Sequence, residues 1–230
     1  MRFRNNSILV AAFTIILFLA GVFKPSALTG ILPYQKAEDS SSKDTTWIFN
    51  GKDLSNFEVI LENKNMNAVE SYNIKNRILY LKSKQIGYLR TKEKYSNFYF
   101  HAEWKWIENN GKGNSGILFY IQPPDTVWPN CIQVNLKANH AGDLIAMSGA
   151  SFKEAAGKPN STALIFYSSS EKAEGEWNSC NAVSIHDSLI VYINGELQNK
   201  ATGIIDNNGA IGIQLEGKPI AFKNIYLIKK

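Results

Sequence analysis

The 230-residue sequence has only two cysteines and three histidines. Neither Cys131 nor Cys180 has a histidine or a second cysteine at metal-ligand spacing, so a metal-binding motif built on them is left out. Charge of one sign is also missing from the body of the chain. Three of the 25 basic side chains (Arg2, Arg4 and Lys24) lie before residue 26, where there is no acid, so 22 basic side chains face 20 acidic ones over the remainder. A near-neutral domain has no electrostatic footprint for nucleic acid. Helical periodicity is absent beyond a short stretch at 152–157, and there is no internal repeat. The glycine-rich GKGNSG at 111–116 lacks the Gly-Lys-Ser/Thr ending and the following helix of a phosphate cradle, and reads as a tight turn presenting Asn114 and Ser115 at a strand entry.

What is present begins with an address. Arg2 and Arg4 precede an apolar run from Ile8 to Val22, broken only by Thr14 and Gly21. Fifteen residues are short for a spanning helix and right for a signal peptide core. Residues 1–27 are therefore expected to be a signal peptide or an uncleaved N-terminal anchor, followed by a polar linker at 28–46 and one domain at 47–230. No cysteine follows the apolar run, which excludes a lipid-modified N-terminal Cys. The protein is expected to be exported, periplasmic or extracellular, touching the membrane only through its N-terminus if that is uncleaved. In such a compartment Cys131 and Cys180 form either a disulfide or two buried thiols.

The domain itself reads as all-β. Short apolar-alternating runs are separated by turn signals such as Asn50-Gly51 and Asn194-Gly195, the latter suited to a type I′ hairpin. Some twelve strands in this arrangement make a two-sheet antiparallel jelly-roll sandwich. Residues 98–136 carry three of them. In the first, Phe98, Phe100, Ala102, Trp104 and Trp106 alternate with Tyr99, His101, Glu103 and Lys105, so one face belongs to the core and the other is polar. Gln133, Asn135 and Gln214 also alternate with apolar residues and are expected to face the same way as Glu103, in one hollow. Amide rows suit sugar hydroxyls, which both donate and accept, and equally suit an ordinary wet sheet. Glu103 is a candidate base or half of a cross-strand ion pair. Glu216, at a turn, is the second carboxylate. Tyr99, Tyr120, Trp128 and Trp177 are candidate sugar-stacking rings, His140 a candidate proton carrier, and Lys105 and Arg90 candidate anion holders.

Several segments together resemble one family, the 3-keto-disaccharide hydrolase domain: FNGKDLSNFE, GYLRT, FHAEWKW, GNSGI, GEWN, NGELQNKATG, and IGIQLEG followed by FKNIYL. The resemblance spans roughly residues 47–228. It implies a concanavalin A-like sandwich with ligand on its concave sheet, acting on glycosides oxidised at carbon 3. A ketone there acidifies the C2 proton. A base removes that proton, donors hold the enolate oxygen, the C1 substituent leaves, and water adds to the alkene. No cofactor is required for this, and the oxidation implies a separate sugar 3-dehydrogenase acting upstream. Carried over residue by residue, Glu103 and Lys105 match the family's Glu-x-Arg/Lys strand, and Asn114 and Ser115 its GNSG turn. The family's Glu-x-Gln is Gln133-x-Asn135 here, its GNSG-following arginine is Tyr120, and its histidine before glycine is Glu216, with Gln214 kept. An amide at 133 is neither a general base nor a strong ligand for a Ca²⁺ ion. The sequence thus supports an enzyme cleaving 3-keto-glycosides, with Glu103, Lys105 and Glu216 catalytic and Arg90, Asn114, Tyr120, Trp128, Gln133, Asn135, His140, Trp177 and Gln214 binding the sugar. The alternatives are a non-catalytic carbohydrate-binding sandwich and a subunit docking a partner.

Overall fold

A computed structural model describes residues 44–82, 86–108, 113–166 and 168–230. The proposed signal segment and most of the polar linker lie outside these. Among the described residues there are fifteen strands, and the only helical pieces are 3₁₀ turns of three residues, one of them at Lys153–Ala155 where a short helix was expected. No helix among the described residues is long and apolar enough to cross a membrane.

In chain order the first eight strands are β1 (Thr45–Trp47), β2 (Phe57–Leu61), β3 (Tyr72–Lys75), β4 (Ile78–Leu81), β5 (Ile86–Tyr95), β6 (Phe98–Trp106), β7 (Gly116–Gln122) and β8 (Asn130–Asn135). The remaining seven are β9 (Leu144–Met147), β10 (Thr162–Ala163), β11 (Asn178–Ile185), β12 (Ser188–Ile193), β13 (Glu196–Ala201), β14 (Gly209–Glu216) and β15 (Ile220–Lys229). One sheet has eight strands in the order β13-β12-β11-β6-β15-β4-β3, with β1 also on β15; the other has seven, β10-β9-β8-β7-β14-β5-β2. Consecutive strands β6 and β7 lie in different sheets, as do β14 and β15.

The two sheets meet through their alternating apolar residues. Along β6 every second residue is buried, and Phe98 and Phe100 reach across to Phe119 of β7, with ring centroids 5.6 and 5.1 Å away. Trp104 and Trp106 lie in this core, as the alternation predicts. The Asn194-Gly195 turn joins β12 to β13 with φ of 52° and 85°, the two positive values a type I′ turn demands.

One expectation is corrected here and one open alternative is decided. Tyr120 is a core residue and does not reach a sugar. A register shift in β7 and a φ of 61° turn Tyr120 inward beside Phe119, where its hydroxyl donates to Ser184 Oγ at 2.7 Å. The backbone of Gly209 runs so close beneath this bulge that a Cβ there would lie 2.4 Å from the Tyr120 carbonyl carbon. Nor do the cysteines form a bridge. Cys131 belongs to the seven-stranded sheet and points to its outer side, whereas Cys180 belongs to the other sheet and points into the core. Burial pushes both thiols up, that of Cys180 to about 12.

Two outcomes follow. Gly209→Ala should destabilise the domain by roughly 1–3 kcal/mol, read by denaturant unfolding, because a fixed backbone is what the new methyl meets. A thiol reagent should find neither cysteine rapidly in the folded protein and both after denaturation, with or without reductant. A reductant requirement would show a disulfide.

Candidate active site

The outer face of the seven-stranded sheet is built around two glycines. In β14, Gly212, Gln214 and Glu216 alternate with the core residues Ile211, Ile213 and Leu215; in β8, Gln133 and Asn135 alternate with Ile132 and Val134. Strand β7 runs between them and contributes Gly116 directly opposite Asn135. With no side chain on Gly116, the Gln133 amide folds across the strand and its Nε2 donates to Gln214 Oε1 at 2.8 Å. A Cβ on Gly116 would sit 2.4 Å from that nitrogen. The amide bridge is therefore a consequence of glycine at the first position of β7, where any side chain would fill the space the Gln133 amide occupies.

Glu216 closes one end of this row. The 113–115 segment is tied down on both sides: Ala138 N donates to Gly113 O, Leu136 N to Ser115 O, and the Ser115 hydroxyl to Gln214 O at 2.8 Å. Asn114 so positioned bridges to Glu216 and hydrogen-bonds its carboxylate, and Lys137 supplies a nearby positive charge. Burial outweighs both and raises the Glu216 carboxyl above the ordinary glutamate range. Asn135, mostly buried, accepts the Lys137 backbone N–H at 3.0 Å.

Further along the face lies a small apolar cluster of Tyr88, Leu118, Ile121, Cys131 and Ala210. Tyr88 is opposite Gln214 in the register, and its buried hydroxyl has no hydrogen-bond partner. Sequence reasoning missed Tyr88, although the alternation of GYLRT places it on the same side as Arg90. Arg90 is ion-paired through Nε (2.9 Å) and Nη2 (3.0 Å) with Asp125, which fastens the loop after β7 to β5. That loop ends in the exposed Trp128. Lys137 was also missed; it carries no motif and is found only through the fold. His140, in the same β8–β9 connection, is oriented by the buried Asp143 (Nδ1 to Oδ2, 3.1 Å), itself fixed by Ile165 N–H at 2.8 Å.

Glu103, Lys105 and Trp177 are not part of this site. Glu103 is on β6, in the eight-stranded sheet, and points away from the core on the opposite side of the sandwich from Gln133 and Gln214. The expectation of one shared hollow fails because a period of two tells inside from outside but not which sheet a strand joins. Burial tends to raise the Glu103 carboxyl, but hydrogen bonds from Asn224 (2.6 Å) and Lys223 (3.1 Å), with the lysine charge, hold it below its usual value. It is the ion-pair reading of Glu103 that the geometry matches. Lys105 and Lys223 both sit over the Trp177 ring, at 5.0 and 4.3 Å from its centroid.

Among the described residues, no three His, Cys, Asp or Glu side chains are grouped to hold a metal ion. A cavity of about 500 Å³ opens beside β10, lined in part by Glu154, Leu164, Phe166 and Asn199. Two of its polar groups are committed, Glu154 to Thr202 and Asn199 to backbone carbonyls, and none of the sequence-predicted residues lines it.

Comparison with known proteins agrees with this architecture. A candidate glycosyl hydrolase from Parabacteroides distasonis superposes with a TM-score of 0.58 at 19% identity, covering 82% of this chain and 94% of that one. The β-glucanase of Bacillus licheniformis gives 0.59 at 14%, covering 83% and 100%. The carbohydrate binding module CBM66 from Bacillus subtilis gives 0.52 at 11%, covering 74% and 93%. At these identities the likeness establishes the fold, a two-sheet sandwich of the concanavalin A-like glucanase type. None of the curated proteins compared with the chain matches it. Residues 44–228 match the profile of the 3-keto-alpha-glucoside-1,2-lyase-like domain, nearly the whole of what the structure describes, and the chain belongs to that family.

Proposed function

We propose that this protein is an exported enzyme that cleaves 3-keto-glycosides at the outer face of the seven-stranded sheet, with Glu216 as the base. The observation carrying this reading is the Glu216 carboxyl itself. Burial raises it toward the range where a general base works, and it stands beside Asn114, Lys137 and the amide row. Glu103, held ionised by its partners on the other face, is a poor base by comparison.

In this reading Glu216 takes the C2 proton of the 3-keto sugar. The electron pair moves into the ring as an enolate whose oxygen is held by Lys137 and Asn114, and the C1–oxygen bond breaks. The departing oxygen takes a proton, and water adds at C1 to restore a free sugar. The Gln133–Gln214 bridge offers a donor and acceptors to the ring hydroxyls. The ketone has to come from an earlier oxidation at carbon 3, the work of a separate dehydrogenase. A second reading, sugar binding without chemistry, is favoured by Gln133: a neutral amide already bonded to Gln214 suits recognition and not proton transfer.

Turnover of a 3-keto-glucoside by the purified protein tests the first reading. Glu216→Gln should lower kcat at least about 100-fold, and Glu103→Gln should leave it unchanged. Full activity in Glu216→Gln would reject the assignment, and calorimetric binding without any turnover would select the second reading. The pH profile is a separate check. Glu216 acts ionised and its carboxyl is raised by burial, so kcat/KM should climb with pH through a limb above the ordinary glutamate range. A limb at or below that range would contradict the role.

A further inference from the structure

On the opposite side of the sandwich one register row crosses five strands. Tyr192 of β12 pairs with Asn181 of β11, Asn181 with His101 of β6, His101 with Tyr226 of β15, and Tyr226 with Trp47 of β1. Tyr192, Asn181, His101 and Tyr226 leave the core, because their neighbours in each strand are the buried ones, and Trp47 joins them through its ring contact with Tyr226. His101 and Tyr226 lie 5.0 Å apart with their planes 32° from parallel, and Tyr226 and Trp47 5.3 Å apart. Asn181 is buried beneath the rings, and its Oδ1 meets His101 Nδ1 and the Tyr99 hydroxyl, both at 2.6 Å. Trp47, at the end of the row, is 46% exposed.

From this row we infer a second carbohydrate-binding site, a platform for a neutral glycan chain lying across the strands and separate from the site holding Glu216. Four strand spacings give the row a length of roughly 19 Å, that of a short oligosaccharide and too long for a single sugar. Ring faces and hydrogen-bonding edges follow one another along it, which matches the apolar faces and equatorial hydroxyls of linked pyranoses. The charged groups named beside it, one carboxylate and two lysines, are each engaged: Glu103 by Lys223 and Asn224, and both Lys105 and Lys223 over the Trp177 ring.

Affinity electrophoresis through gels containing mixed-linkage β-glucan, laminarin or dextran tests the inference with the purified protein. At least one polysaccharide should retard it. Trp47→Ala and Tyr192→Ala, at opposite ends of the row, should each weaken that retardation about tenfold, with unchanged circular dichroism. Glu216→Gln should be retarded like the parent, which separates this site from the catalytic reading. Unretarded migration in all three gels overturns the inference. So does retardation that Glu216→Gln or Gln133→Ala abolishes and the row variants do not. A dimer in sedimentation that Trp47→Ala dissociates would assign the row to a second copy of the chain instead.

Discussion

The contact of β6 with β7 across the sandwich is the constraint on which everything else rests. Phe98 and Phe100 reach from one sheet to Phe119 of the other, so two strands close in sequence belong to different layers. Each then has one face spent on the core, and their polar faces must look in opposite directions. The domain consequently has two outer surfaces about a sheet-pair thickness apart, with no residue able to serve both.

The two surfaces are chemically different, and backbone geometry makes them so. On the seven-stranded sheet, glycines at 116 and 212 empty the middle of the face, and the side chains of flanking strands fold into the gap. The result is a partly desolvated patch where a carboxyl is pushed toward neutrality and amides bond one another. On the eight-stranded sheet the central strand β6 carries Tyr99, His101, Glu103 and Lys105 outward. Rings stack on rings, and the one carboxylate is paired with a lysine and an amide. A partly desolvated patch with a raised carboxyl suits proton transfer; a surface of stacked rings suits adhesion.

Much of this architecture was legible in the chain. The alternation along Phe98–Trp106 identified both indoles as core, and Asn194-Gly195 announced its hairpin. The spacing of short strands pointed to a two-sheet jelly roll, alternation with apolar residues put Gln133, Asn135 and Gln214 on one face, and the family resemblance added the concanavalin A-like type. The illegible part had a physical cause in each case. Glu103 was placed in the wrong hollow because strand alternation carries no information on which sheet a strand joins. Tyr120 was misplaced by a single residue of bulge, which turned inward a side chain that strict alternation would send out. Lys137 and Tyr88 reach the site through the β8–β9 connection and the β5–β14 register, long-range facts that no local pattern encodes.

The account turns on where a small keto-sugar sits. Chemical-shift mapping by NMR with methyl 3-keto-glucoside decides it directly. The account predicts perturbed backbone and side-chain amides at Asn114, Gln133, Asn135 and Gln214. The same titration leaving β8 and β14 undisturbed would contradict it.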